Sequence, residues 1–172
     1  MPALKLRTIN SKSLPIPGND PWYAAPDDPA LTAMTDFRER ASVRVLDRDS
    51  IDAALDHMKH AGVRSAFVVD ERSRTVVGFI TAYDIMGDRP MRYVQDHRTR
   101  RSDVLARDIM KPMPELQCVD VRDVAHSTVA SVARIFDETG LTHITVVEQD
   151  EQGTTRLRGL LSAARVRKLL AR

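Results

Sequence analysis

Apolar positions along this chain follow two rhythms, and each rhythm occurs twice. Ile51, Ala54, Leu55 and Met58 recur at i, i+3, i+4 and i+7, and so do Val129, Val132, Ala133 and Phe136. That spacing gathers four side chains on one face of a helix. Ser50 and Ser127 stand where an N-cap is needed. Gly62 and Gly140 stand past the far ends, where a left-handed residue favours glycine. Beyond each glycine the period changes. Ala66-Phe67-Val68-Val69-Asp70 and Ile144-Thr145-Val146-Val147-Glu148 are short, β-branched runs that predict buried strands. After a polar turn, residues 75–80 and 156–161 predict second strands of hairpins. Further helices begin near Thr81 and Ser162, and short strands at about 43–46 and 121–124 precede the first helices.

Gly62 and Gly140 are 78 residues apart, and Gly78 and Gly159 are 81 apart, so the second hairpin is three residues longer. Its extra length falls in the polar loop 149–154. Each half reads strand, helix, strand, strand, helix. A half of about 50–60 residues buries little core alone, so the expected fold is α/β (α+β): two pseudo-symmetric β-α-β-β-α repeats packed sheet to sheet.

Proline placement sets the outer limits. Six of the nine prolines lie in the first 29 residues, where each removes an N–H and holds its predecessor extended. Residues 1–28 are therefore read as an extended tail, with Trp22 and Tyr23 either an anchor on the protein's own surface or a partner contact. Asp28 and Pro29 read as N-cap and first residue of a short lead-in helix over about 29–38. The expected organisation is a first repeat with this lead-in at 29–87, a linker at 88–102 that opens on a short helix, and a second repeat at 103–172.

Composition narrows the function classes. Of the 172 residues, 26 are basic and 24 acidic, a net charge of +2, which argues against binding nucleic acid by bulk charge. The single cysteine, Cys118, leaves no internal disulfide and no paired-cysteine metal knuckle. No apolar stretch is long enough to span a membrane, and no apolar segment follows the N-terminal basic residues as in a signal peptide. A cytoplasmic protein is the expectation. His57 and His60 lie three apart on a helix but lack a third metal ligand. Nothing resembles a nucleophile elbow, a phosphate-binding Gly-rich loop or a dinucleotide fingerprint. No catalytic residue, metal site or required cofactor is expected.

One segment carries a specific resemblance. Gly78-Phe79-Ile80-Thr81-Ala82-Tyr83-Asp84-Ile85, set in a duplicated architecture with Met34-Thr35-Asp36 and Arg107-Asp108-Ile109-Met110 leading into the two halves, resembles a tandem CBS-domain pair, or Bateman module. The resemblance implies an adenosine-type regulatory ligand (AMP, ADP, ATP or S-adenosylmethionine) in a cleft between the repeats. It also implies a homodimer, with Val166, Leu169 and Leu170 of the last helix as a candidate seam, and a separate effector protein that receives the signal. The physical rationale is that a strand-to-helix turn exposes free N–H groups and the positive end of the helix dipole to a phosphate. Thr81 would donate to that phosphate, Asp84 would accept from the ribose hydroxyls, and Val43 and Ala66 would flank the base. Thr81-x-x-Asp84 equally reads as a capping box, and the two roles can coexist.

The second copy, Gly159-Leu160-Leu161-Ser162-Ala163-Ala164-Arg165, replaces the acid by arginine. Arginine has no acceptor for ribose hydroxyls but suits a phosphate. Ser162, Arg165, His143 and Arg64 are candidate phosphate contacts; solvated or structural roles compete for the last two. The leading expectation is a non-catalytic nucleotide-sensing module with its ordinary site at Asp84. The alternative is a structural dimerisation or adaptor module whose sites are degenerate. The basic clusters at 98–101 and 156–172 read as solvated faces or as the rim of an anion site.

Overall fold

The computed structural model of the chain describes residues 21–171. A single 3-10 turn at Ala30–Ala33 leads to β1 (Thr35–Asp36) and β2 (Arg44–Leu46), then α1 (Ile51–His60), β3 (Ser65–Val69), β4 (Val76–Thr81) and α2 (Ala82–Met86). A connecting helix α3 (Arg89–His97) precedes α4 (Ala106–Ile109) and β5 (Lys111–Pro112). The second half then runs β6 (Cys118–Asp120), α5 (Val121–Ala125), α6 (Val129–Thr139), β7 (His143–Gln149), β8 (Thr155–Ser162) and α7 (Ala163–Leu170).

The duplicated rhythm appears as two four-stranded sheets, ordered β2-β3-β4-β5 and β1-β8-β7-β6. In each, the entry strand runs parallel to the first hairpin strand, and the hairpin is antiparallel with an irregularity after Val68 or Val146. The Ser50 hydroxyl accepts from the N–H of Ala53 to start α1, and Gly62 and Gly140 both sit at φ +67° beyond the helix ends. Three local expectations shift. The cap of α6 is Thr128, whose hydroxyl accepts from the N–H of Ser131, one residue beyond Ser127. The second entry strand lies at Cys118–Asp120, not 121–124, because Asp120 accepts from the N–H of Arg122 and starts α5 there. The lead-in helix shrinks to one 3-10 turn.

The outer strand of each sheet comes from the other half. Thr35 and Asp36 in β1 pair with Leu160 and Gly159 of β8, while Lys111 and Pro112 in β5 pair with Phe79 and Gly78 of β4. Sequence order places 29–36 with the first repeat and 104–112 with the second; in space the two lead-ins exchange places. Val104, Ala106 and Ile109 join the first core with Ile51, Met58, Val68, Ile80 and Ile85. Ala24, Ala30, Ala33 and Met34 join the second with Val129, Phe136, Val146, Leu161 and Val166.

Residues 1–20 of the expected tail lie outside the described residues. Residues 24–30 run along the second repeat: Ala24 donates to Leu169, Ala30 donates to Ser127, and Pro26 and Asp28 accept from Ala130 and Val129. The anchor is therefore the small, buried Ala24, whereas Trp22 is 83% exposed. The stripe read as a dimer seam also turns inward. Val166 and Leu169 are fully buried in the second core, because the exchanged lead-in covers α7.

Gly78 and Gly159 explain why each lead-in fits. A Cβ on Gly159 would stand 2.7 Å from the carbonyl oxygen of Thr35 and 2.9 Å from Met34 Sδ; one on Gly78 would stand 2.8 Å from the Lys111 carbonyl oxygen and 2.5 Å from Met110 Sδ. Each glycine makes room for the crossing strand and its methionine. Gly159→Ala is expected to destabilise the chain by about 1–3 kcal/mol, the usual range for overpacking. The check is a lower urea midpoint at an unchanged denaturant slope.

Candidate functional site

Alternation along the hairpin strands decides which side chains face the other sheet. Ala66, Val68 and Ile80 point into the first helical core, so Phe67 and Phe79, which pair across β3 and β4, point away from it. They meet the second sheet through an edge-to-face ladder: Phe37 to Phe67 at 5.6 Å, Phe67 to Phe79 at 5.1 Å and Phe79 to the ring of His143 at 5.3 Å. Such geometry suits the aromatic quadrupoles. The ladder forms part of a cleft of about 780 Å³ between the repeats, within the range of small-molecule sites.

The cleft joins the entry strand of the first repeat to the strand-to-helix turn of the second. Val43 and Ala66 line it, as do Arg64, His143, Ser162 and Arg165. Thr81 and Asp84 do not. Sequence reasoning grouped Val43 and Ala66 with Asp84; the pseudo-two-fold arrangement instead sets the entry strand of one half opposite the helix turn of the other. Ala66 is only 1% exposed, which leaves a ligand little of it to touch. Arg64 and His143 are one step out of register as counterparts: Ser65 pairs with Thr81 as His143 pairs with Ser162.

Thr81 and Asp84 form a complete capping box. The Asp84 carboxylate accepts from the Thr81 N–H at 2.9 Å and from its hydroxyl at 2.7 Å, and the Asp84 N–H donates to the Thr81 hydroxyl at 3.1 Å. The other carboxylate oxygen lies 3.3 Å from a guanidinium nitrogen of Arg89. At the matching turn, the Ser162 hydroxyl accepts from the N–H of Arg165 at 3.1 Å. The Arg165 side chain lines the cleft, and its Nε donates to the carbonyl of Ala33 at 3.2 Å.

Charge in the cleft has one sign. Arg64, Arg165, Arg167 and Lys168 line it, and among the described residues no aspartate or glutamate does. Arg64 is oriented by a hydrogen bond to the Tyr83 hydroxyl at 3.1 Å, and Arg167 pairs with Asp137 at the surface. His143 adds no charge at neutral pH: burial lowers its pKa to about 4, against a smaller opposing pull from Asp84. Arg167 and Lys168 were legible only as part of a basic cluster. The phenylalanine ladder was missed, although strict alternation along 65–69 placed Phe67 opposite the core residues. Among the described residues no three His, Cys, Asp or Glu side chains gather as a metal site, and no helix is long and apolar enough to cross a membrane.

Comparison with known proteins agrees with this architecture. Residues 40–88 match the family model of the CBS domain. Among solved structures, an uncharacterised conserved protein from Pyrococcus horikoshii superposes with TM-score 0.58 at 21% identity, over 87% of this chain and 96% of that one. A CBS-pair protein from Arabidopsis thaliana gives 0.50 at 21% identity, over 83% and 92%. A conserved CBS domain protein from Thermoplasma acidophilum gives 0.53 at 18% identity, over 81% and 71%. The fold is that of a tandem CBS pair. No curated protein matches the chain significantly. The family model covers the first repeat; the second repeat shares its topology.

His143 supplies a test of the interface between the two repeats. Its folded pKa, about 4, lies below the unfolded value of about 6.5. The unfolded chain therefore binds the extra proton first, and stability falls as pH drops from about 6.5 to 4, by on the order of 2–3 kcal/mol. His143→Gln is expected to flatten that part of the pH–stability curve. A curve of unchanged slope in the variant would show that the imidazole is not held neutral.

Proposed function

We propose that this CBS pair is a non-catalytic sensing module that takes a phosphorylated adenosine (AMP, ADP or ATP) in the cleft between its repeats and passes occupancy to a partner protein. The observation that carries this reading is a cleft with aromatic and aliphatic walls, lined by four cationic side chains and, among the described residues, by no carboxylate. The apolar strands suit a base. The guanidinium of Arg165 and the first turn of α7 suit phosphate oxygens, since charge-assisted hydrogen bonds are about twice as strong as neutral ones and a helix start favours anions. This reading puts the ligand beside Arg165; Asp84 is engaged in capping and in its ion pair with Arg89. S-adenosylmethionine, whose sulfonium and amino groups are cationic, fits a cationic cleft less well than AMP, ADP or ATP.

Both repeats contribute walls to the cleft, so a ligand there favours whichever relative arrangement of the repeats it contacts best. The second reading is a dimerisation or adaptor module with degenerate sites. It is favoured by Tyr83, Met86 and Met91 on the neighbouring helices α2 and α3, which are 47%, 64% and 50% exposed.

Calorimetric titration of AMP, ADP, ATP and S-adenosylmethionine separates the two. Affinity is expected to rise with phosphate number and to weaken with added salt, with no heat from S-adenosylmethionine at millimolar concentration. Arg165→Ala is expected to weaken ATP by about 10–100-fold, the loss of one charged hydrogen bond. Asp84→Ala should leave ATP binding within about threefold while lowering stability by about 1 kcal/mol through the lost cap. Absence of heat with every nucleotide would sink the sensing reading in favour of the adaptor.

A further inference from the structure

The two strand-to-helix turns have the same shape and opposite chemistry. At the first, the third helical residue is Asp84; at the second it is Arg165, with Ser162 spent as a cap acceptor for the Arg165 N–H. Proteins that read a ribose do so most strongly with a carboxylate, which accepts from the 2′- and 3′-hydroxyls. Among the described residues the cleft offers no carboxylate. A guanidinium donates only, so Arg165 cannot replace one. The described acceptors that remain for a sugar hydroxyl are neutral: hydroxyls, among them those of Thr35, Ser42, Ser65 and Thr142, the His143 imidazole and main-chain carbonyls, each of which gives a weaker bond.

We infer that this cleft recognises the phosphates of its nucleotide and is indifferent to the 2′-hydroxyl, so that it holds 2′-deoxyribonucleotides as tightly as ribonucleotides. The inference rests on the proposed nucleotide site and specifies its ligand class further. The positive side chains of the lining favour each added phosphate, whereas among the described residues removing one sugar hydroxyl unpairs no charged group. Leaving a charged partner unpaired produces large discrimination, and losing a neutral contact does not.

The experiment titrates ATP, 2′-deoxy-ATP and AMP into the full chain by calorimetry, with wild type and Arg165→Asp. For wild type, ATP and 2′-deoxy-ATP are expected within about threefold of one another, and AMP at least about tenfold weaker than ATP, as for loss of one or more charged hydrogen bonds. Arg165→Asp places an acid three residues after the Ser162 cap, an arrangement favourable to the helix start, so the variant is expected to fold; circular dichroism checks it. The new carboxylate should weaken ATP and raise the preference for ATP over 2′-deoxy-ATP to about tenfold or more. A wild-type preference for ATP of tenfold or more overturns the inference and leaves the nucleotide site standing. An unchanged ratio in a folded Arg165→Asp shows that this turn does not face the sugar, and also overturns it. No heat from any nucleotide overturns the proposed site and this inference together.

Discussion

The strand that closes each sheet arrives from the chain leading into the other repeat, and the rest of the molecule depends on that exchange. β1 reaches β8 over Gly159, and β5 reaches β4 over Gly78, each bringing a methionine against the glycine it crosses. The exchange also carries apolar side chains: Met34 and Ala33 into one core, Ile109 and Ala106 into the other. A repeat stripped of its borrowed strand would expose an unpaired sheet edge and part of its core, both costly. The halves are thus two repeats in sequence and one folding unit in space.

The same exchange builds the cleft. With the borrowed strands on the outer edges, the hairpins bring their aromatic faces together, and the Phe37–Phe67–Phe79–His143 ladder spans from the first sheet to the second. The entry strand at Val43 then faces the turn at Ser162, and the lead-in at Thr35 forms part of the same wall. Arg165 is tied to this scaffold by its bond to the Ala33 carbonyl. A charged side chain at the cleft wall is therefore positioned by a segment some 130 residues earlier in the chain, brought there by strand exchange.

Period and punctuation made the fold legible. The 3.6-residue stripes at 51–58 and 129–136, the glycines at 62 and 140, and the β-branched runs after them correspond to α1, α6, β3 and β7. These signals are local, and local chemistry suffices to produce them. What the sequence could not show is long-range pairing. Nothing in Met34-Thr35-Asp36 says that it pairs with Leu160 rather than with its own hairpin, and nothing in Val166 and Leu169 says that residues 24–34 cover them. The same holds for the cleft. Val43 and Ala66 were grouped with Thr81 and Asp84 through the family resemblance, whereas the cleft sets Val43 and Ala66 opposite the turn at Ser162. The errors at 121–124 and at Ser127 are smaller and have another cause: Asp120 and Thr128 compete as caps within a few residues of the expected ones, and cap choice depends on where the preceding strand ends.

Duplication gave the two helix turns one backbone design, and a single side chain in each decides how its charge is used. Asp84 folds back on Thr81 and meets Arg89, so both carboxylate oxygens are engaged within the first repeat and its connecting helix. An arginine at the same place cannot fold back, because the N-cap N–H is a donor and so is every guanidinium N–H. The Arg165 side chain extends instead, and its Nε donates to the Ala33 carbonyl. The acid at this position closes its turn and satisfies its own charge locally. The arginine leaves the turn capped by Ser162 and lines both the cleft, with Arg64 and Lys168, and a neighbouring cavity, with Asp36 and Glu39. The opposite charges of the two turns thus follow from one donor–acceptor constraint acting on a shared backbone design.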